Sequence, residues 1–120
     1  MRKNRAVLIA GVGFLFAVMP VLAHHPLSAQ YDLNQVITLK GTVTKVAWSN
    51  PHARLYINVK DEGSSTVANW ELEMTSPNVL MLHGWKIDTL RQGDHVIVEA
   101  HPSRHGSNLG YANKVTITFR

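Results

Sequence analysis

From Val36 onward, apolar and polar residues alternate with a period of two, the pattern of strands that bury one face. Ile37, Leu39, Gly41 and Val43 share one side, with Thr38, Lys40, Thr42 and Thr44 opposite. The apolar positions then change parity to Val46 and Trp48. One extra residue near Thr44-Lys45, a β-bulge, returns both halves to the same core, so the first strand is expected to be long and bent. Ser49-Asn50-Pro51 is turn chemistry, since Ser and Asn bond nearby backbone and Pro fixes φ. A second strand follows, with Ala53, Leu55, Ile57 and Val59 inward and Arg54, Tyr56, Asn58 and Lys60 outward. Beyond the polar loop Asp61 to Ser65, a third strand sets Ala68, Trp70, Leu72 and Met74 against Asn69, Glu71 and Glu73. The two glutamates are expected on a solvated face.

The period then changes. Ser76 is a good N-cap and Pro77 suits the first helical position, where a missing N–H costs nothing. A short helix carrying Val79, Leu80 and His83 should end at Gly84, with Trp85 and Ile87 packed beneath it. Leu90 to Asp94 reads as a turn into a fourth strand with Val96, Val98 and Ala100 inward. A polar loop from Pro102 to Gly110 precedes a fifth strand, on which Val115, Ile117 and Phe119 alternate with Lys114, Thr116 and Thr118. The order β-β-β-α-β-β with a long bent first strand is that of an OB-fold, an all-β five-stranded barrel with one short helix. An open sheet with a helix on one face is the alternative, and closure favours the barrel because it removes exposed edges. His24 to Gln35 shows no sustained period and is expected to pack as an extended arm.

The first residues change the charge picture. Arg2, Lys3 and Arg5 precede the uncharged run Ala6 to Val18, and Val21-Leu22-Ala23 offers short side chains to a signal peptidase. This three-part pattern predicts a cleaved secretory signal over residues 1–23, an arm over 24–35 and a barrel domain over 36–120. The apolar run is short for a bilayer, which needs roughly 20 such residues; an uncleaved N-terminal anchor is the competing reading. The expected location is the periplasm or outside the cell, with no transmembrane segment after cleavage. Three of the 12 basic residues lie in the signal, so the remainder, against 8 acidic residues, is nearly neutral. Its Lys and Arg are scattered rather than clustered, which argues against nucleic acid. The sequence has 0 cysteines, excluding thiol catalysis, disulfides and Cys-based metal sites.

Several blocks carry a family resemblance: His24-His25 with Ser28 and Tyr31-Asp32, Gly41-Thr42-Val43, and Trp48-x-Asn50-Pro51-His52. Asn69-Trp70, Ser76-Pro77-Asn78 with Gly84-Trp85, and Leu90-x-x-Gly93-Asp94 extend it over nearly all of the chain beyond the signal. The chain resembles the small exported bacterial proteins catalogued as domain of unknown function 6152. The resemblance implies an exported one-domain protein with an OB-like barrel, and carries no activity, ligand or site residues. One departure is Pro26 after the histidine pair, where that family often has Ser.

The 7 histidines all follow Ala23. Neutral imidazole is the commonest protein ligand for zinc, copper and nickel. Cleavage after Ala23 lets the α-amine and ring of His24 chelate one metal. Cleavage one residue earlier makes Ala23-His24-His25 a square-planar chelate, and both geometries suit Cu(II). His24 and His25 are therefore the leading metal candidates, with His52 or His101 as third ligand. The plainer readings are a disordered chain end for the pair, a turn for His52, a helix end for His83 and outward strand positions for His95 and His101. Among aromatic residues, Trp48 and Trp70 fall on apolar faces and belong to the core. Tyr56 faces outward on the second strand, a usual OB ligand surface, and joins Asn50 and His105 as contact candidates. Glu71 and Glu73 lack a neighbouring pocket signal, and Ser28, Asp32 and a histidine lack a nucleophile elbow. These features predict a non-enzymatic binding module for a small molecule, metal ion or envelope protein. A copper carrier, or at the limit a copper oxidoreductase, is one alternative; a structural partner-docking protein is the other.

Overall fold

A computed structural model of the chain describes residues 26–120. Its strands are β1 (Ile37–Ala47), β2 (Arg54–Lys60), β3 (Val67–Glu73), β4 (His95–Pro102) and β5 (Leu109–Phe119). They close into a barrel in the order β1-β2-β3-β5-β4, with β4 returning to β1. Every junction is antiparallel except β3–β5, which is parallel and short, from Glu71 opposite Leu109 to Glu73 opposite Tyr111. This is the topology of an OB-fold.

The expected bulge is present. Val43 pairs with Ile57 and Lys45 with Tyr56, leaving Thr44 as the extra residue, after which Val46 and Trp48 pack against the core. One upstream position shows how tightly the bent strand sits on its neighbour. A Cβ on Gly41 would lie 2.6 Å from the Asn58 carbonyl oxygen, so only glycine fits there. Leu55, Ile57, Leu72, Val43, Val96 and Val98 are the largest fully buried side chains. Each contributes on the order of 1.5–3 kcal/mol through removal from water.

A short helix, preceded in the chain by another single turn, links β3 to β4. The upstream turn is α1 (Leu27–Gln30) and the linking helix is α2 (Pro77–Leu82). Ser76 Oγ accepts from Val79 N at 3.3 Å, capping α2 as expected. Gly84 takes φ 89°, the left-handed conformation that ends a helix without a Cβ penalty. Leu80 delivers the helix to the core beside Met74 and Leu90. The adjoining turn is locked by Asp94, a buried carboxylate that accepts from Arg91 N at 2.9 Å and from Arg120 Nε at 3.3 Å.

Four expectations are corrected. The arm is not wholly extended, because Leu27–Gln30 form one helical turn. Ile87 is 70% exposed, since Lys86 N donates to Thr89 Oγ1 at 2.7 Å and Thr89 N to Lys86 O at 3.1 Å, closing a turn that holds Ile87 at its tip. Phe119 is 69% exposed. His95 pairs with Phe119 but Val96 with Ile117, so Thr118 is an extra residue that switches Phe119 to the outer face beside the His95 ring. A second slip, with Glu99 opposite Lys114 and Ala100 opposite Ala112, lets β5 begin at Leu109 and shortens the expected 102–110 loop to residues 103–108.

Candidate functional site

The outer face of β2 and β3 carries three cross-strand pairs in a row: Arg54 opposite Glu73, Tyr56 opposite Glu71, and Asn58 opposite Asn69. Period-two alternation puts all six on one side. The 103–108 loop rises along this face as a wall, fixed to it where Glu71 N donates to Asn108 O at 3.0 Å. Asn108 turns there with φ 59°, a left-handed conformation that asparagine tolerates well.

One end of the row is covered. Tyr31, 8% exposed, lies over it with its ring 5.7 Å from that of Tyr111 and its hydroxyl in the field of the Glu73 carboxylate. Glu73 is thereby buried to 8% exposure, correcting the expectation of a solvated carboxylate. Arg54 answers the charge, reaching Glu71 Oε1 at 3.5 Å and Glu73 Oε1 at 3.6 Å. The arm is held from the loop side by main-chain recognition. Arg104 Nε donates to Ser28 O at 2.9 Å, Arg104 N to Gln30 O at 2.9 Å, and His105 Nε2 to Ala29 O at 3.0 Å. Arg104 also pairs with Asp32 at 3.6 Å.

The other end is open. Tyr56, Asn58 and Asn69 form the floor of a cleft of about 630 Å³, with Ser107, Asn108 and Leu109 as its wall. Lys45 stands at the rim, its Nζ 5.4 Å from the centre of the Tyr56 ring. Tyr56 donates its hydroxyl to Glu71 Oε1 at 3.1 Å, which fixes the ring beside the cleft with Lys45 Nζ over it. On the far side of Leu109 lies a smaller chamber of about 310 Å³ bordered by Tyr31, Arg54, Glu71 and His105.

The phenols are held neutral. Burial, reinforced by the Glu73 carboxylate, pushes Tyr31 up to about 12. Burial and the Glu71 hydrogen bond raise Tyr56 as well. Burial also raises Tyr111, opposed by its bond with Thr75 and supported by Glu73. The site therefore offers hydroxyl and amide hydrogen bonds, one aromatic ring and one lysine ammonium. Its carboxylates are already engaged.

The sequence-predicted candidates disperse. Tyr56 lies in the large cleft and His105 borders the small chamber, whereas Asn50 is exposed in the β1–β2 loop and lines neither. His52 Nδ1 lies 3.2 Å from Met74 O, and His101 Nδ1 lies 2.8 Å from Gln35 O. His24 and His25 lie outside the described residues, as does the predicted signal. Among the described residues, no three His, Asp or Glu side chains group as a metal ion would require. No helix among them is long and apolar enough to cross a membrane. Arg54, Glu73, Tyr31, Asn58 and Asn69 belong to the site although the sequence names none of them as a contact candidate, Glu73 entering only as one of a carboxylate pair without a pocket signal. The outward parity of β2 and β3 marked four of them, and Tyr31 is the one large aromatic of an arm that carries no period.

A family model described as a family of unknown function (DUF6152) matches residues 13–112, most of the chain, and the chain belongs to that family. No curated protein matches it.

Proposed function

We propose that this DUF6152 member is a small exported binding module without catalytic activity, taking a polar small molecule in the open cleft of β2 and β3. The observation that carries the reading is the meeting of a rigid strand floor with a loop wall around about 630 Å³, in the range of ligand sites. A ring or sugar face stacks on Tyr56, and hydroxyl or amide groups bond Asn58 and Asn69. Binding suits the site better than proton transfer, because Arg54 occupies both glutamates and the phenols stay protonated. The basic, apolar and short-residue segments of residues 1–23 support export. The test is amide chemical-shift titration with neutral saccharides and capped amides as probes. Saturable shifts at Asn58, Asn69 and Asn108 that disappear in Asn69→Ala support the cleft; hits unaffected by that replacement dismiss it.

A second reading is Cu(II) carriage, favoured by the histidine hydrogen bonds. A carbonyl oxygen only accepts, so Nδ1 of His52 and of His101 must each carry the proton. That leaves Nε2 of both rings with a lone pair, the tautomer a metal needs. Either could join His24 and His25. Calorimetric titration of Cu(II) into the protein, its N-terminus confirmed by intact mass, decides. Tight one-to-one binding lost in His24→Ala supports carriage, and weak multi-site heats unchanged by the replacement exclude it.

A further inference from the structure

Two lysines come together on the outer surface where β1 meets β2. The register sets Thr42 opposite Asn58 and ends with Gly41 opposite Val59; Lys40 and Lys60 are the next residues on the two strands and border the same depression. Like charges brought together across two strands destabilise a sheet. The protein does not neutralise them, since every ion pair among the described residues is made by an arginine. Asp61, the next residue after Lys60, spends its oxygens within its own loop, on Gly63 N at 3.1 Å and Ser64 Oγ at 3.3 Å. Glu62 is exposed and makes no such pair.

The lysines border a depression of about 430 Å³ that also includes Gly41, Thr42, Asn58 and His95, and no carboxylate. His95 is positioned at its edge, with Nδ1 3.4 Å from Thr42 Oγ1 and its ring 5.7 Å from that of Phe119. Two unpaired ammonium groups, a hydroxyl, an amide and an imidazole around one hollow are the donors that an oxyanion takes.

We infer that this depression binds a phosphate or sulfate group, whose charge Lys40 and Lys60 neutralise and whose oxygens the Thr42, Asn58 and His95 side chains bond. The site meets the β2–β3 cleft only at Asn58, and does not depend on what that cleft binds. The group could arrive as a free ion or on an anionic lipid headgroup, and the test separates them.

Inorganic phosphate is titrated into the full chain at constant ionic strength while the amides of Gly41, Thr42 and His95 are followed. Saturable shifts are expected, with Lys60→Ala weakening binding by about tenfold, the weight of a charge-assisted contact. As a control on folding, Lys60→Met should melt at or above the parent temperature without phosphate, and phosphate should raise the parent's midpoint but not the variant's. Binding to phosphatidylglycerol vesicles that is lost in Lys40→Ala, with no response to inorganic phosphate, supports the same site with a lipid-borne group. Absence of saturable shifts together with vesicle binding that is absent or unchanged in Lys40→Ala overturns the inference.

Discussion

The two ends of the β2–β3 outer face have the same strand pairing and opposite fates. At one, Glu73 lies under Tyr31, shielded from water and paired with a half-exposed Arg54; at the other, Asn58 and Asn69 look into an open cleft. Nothing in the strands distinguishes the ends, since both are outward positions of the same alternation. What differs is whether a segment from elsewhere in the chain lies on top. A buried charge must be paired, and Arg54 meets that requirement at the covered end. Uncharged amides tolerate exposure or a ligand equally, which is what the open end requires.

Removing the cover should have the largest effect. Tyr31→Ala takes a buried ring off Glu73 and is expected to lower stability by about 3 kcal/mol in urea unfolding. A loss under about 0.5 kcal/mol, the range of exposed sites, would mean the covered end is no more structural than the open one. Glu73→Ala comes next, at about 1–3 kcal/mol, because Arg54 loses a partner under the arm. The same substitution at Glu71 should cost less, since the Arg54 contact there is more exposed.

An alkaline titration sharpens the contrast without removing atoms. Tyr31 has its pKa raised to about 12 in the fold, against about 10 in an unfolded chain, so the native state holds this proton more tightly. Its contribution is present in full below pH 10 and is lost as the pH climbs through 12. Stability should therefore fall across that window, and Tyr31→Phe should make the fall shallower; an unchanged slope would detach Tyr31 from Glu73. The smallest effect belongs to the open end. Asn69→Ala should leave stability within about 0.5 kcal/mol, so that any change in ligand response reports contact rather than folding.

The barrel was legible because its cause is local. Alternation in Ile37 to Val43 and its parity change at Val46 encode the bulge at Thr44, and Ser76-Pro77 with Gly84 encodes the helix ends. The site was half legible. Parity marks Tyr56 as outward, yet Glu73 shares that parity and is buried, because the element above it comes from an arm with no period to read. Phe119 was misplaced for a related reason: one extra residue at Thr118, with no turn signal around it, reverses the face. Histidine abundance drew attention to metal chemistry, whereas His101 and His105 fasten the arm through Gln35 O and Ala29 O.

That fastening has an evolutionary consequence. Arg104 and His105 grip the carbonyls of Ser28, Ala29 and Gln30 and touch none of their side chains through those bonds. A clasp that reads only the peptide unit is indifferent to spelling. Ser28, Ala29 and Gln30 are thus free to drift while the arm stays seated, whereas the Arg104 side chain, which bonds the Ser28 carbonyl and pairs with Asp32, has no such latitude. New residues can be tried beside the chamber at little risk to the barrel, which is how a fixed scaffold acquires a new specificity.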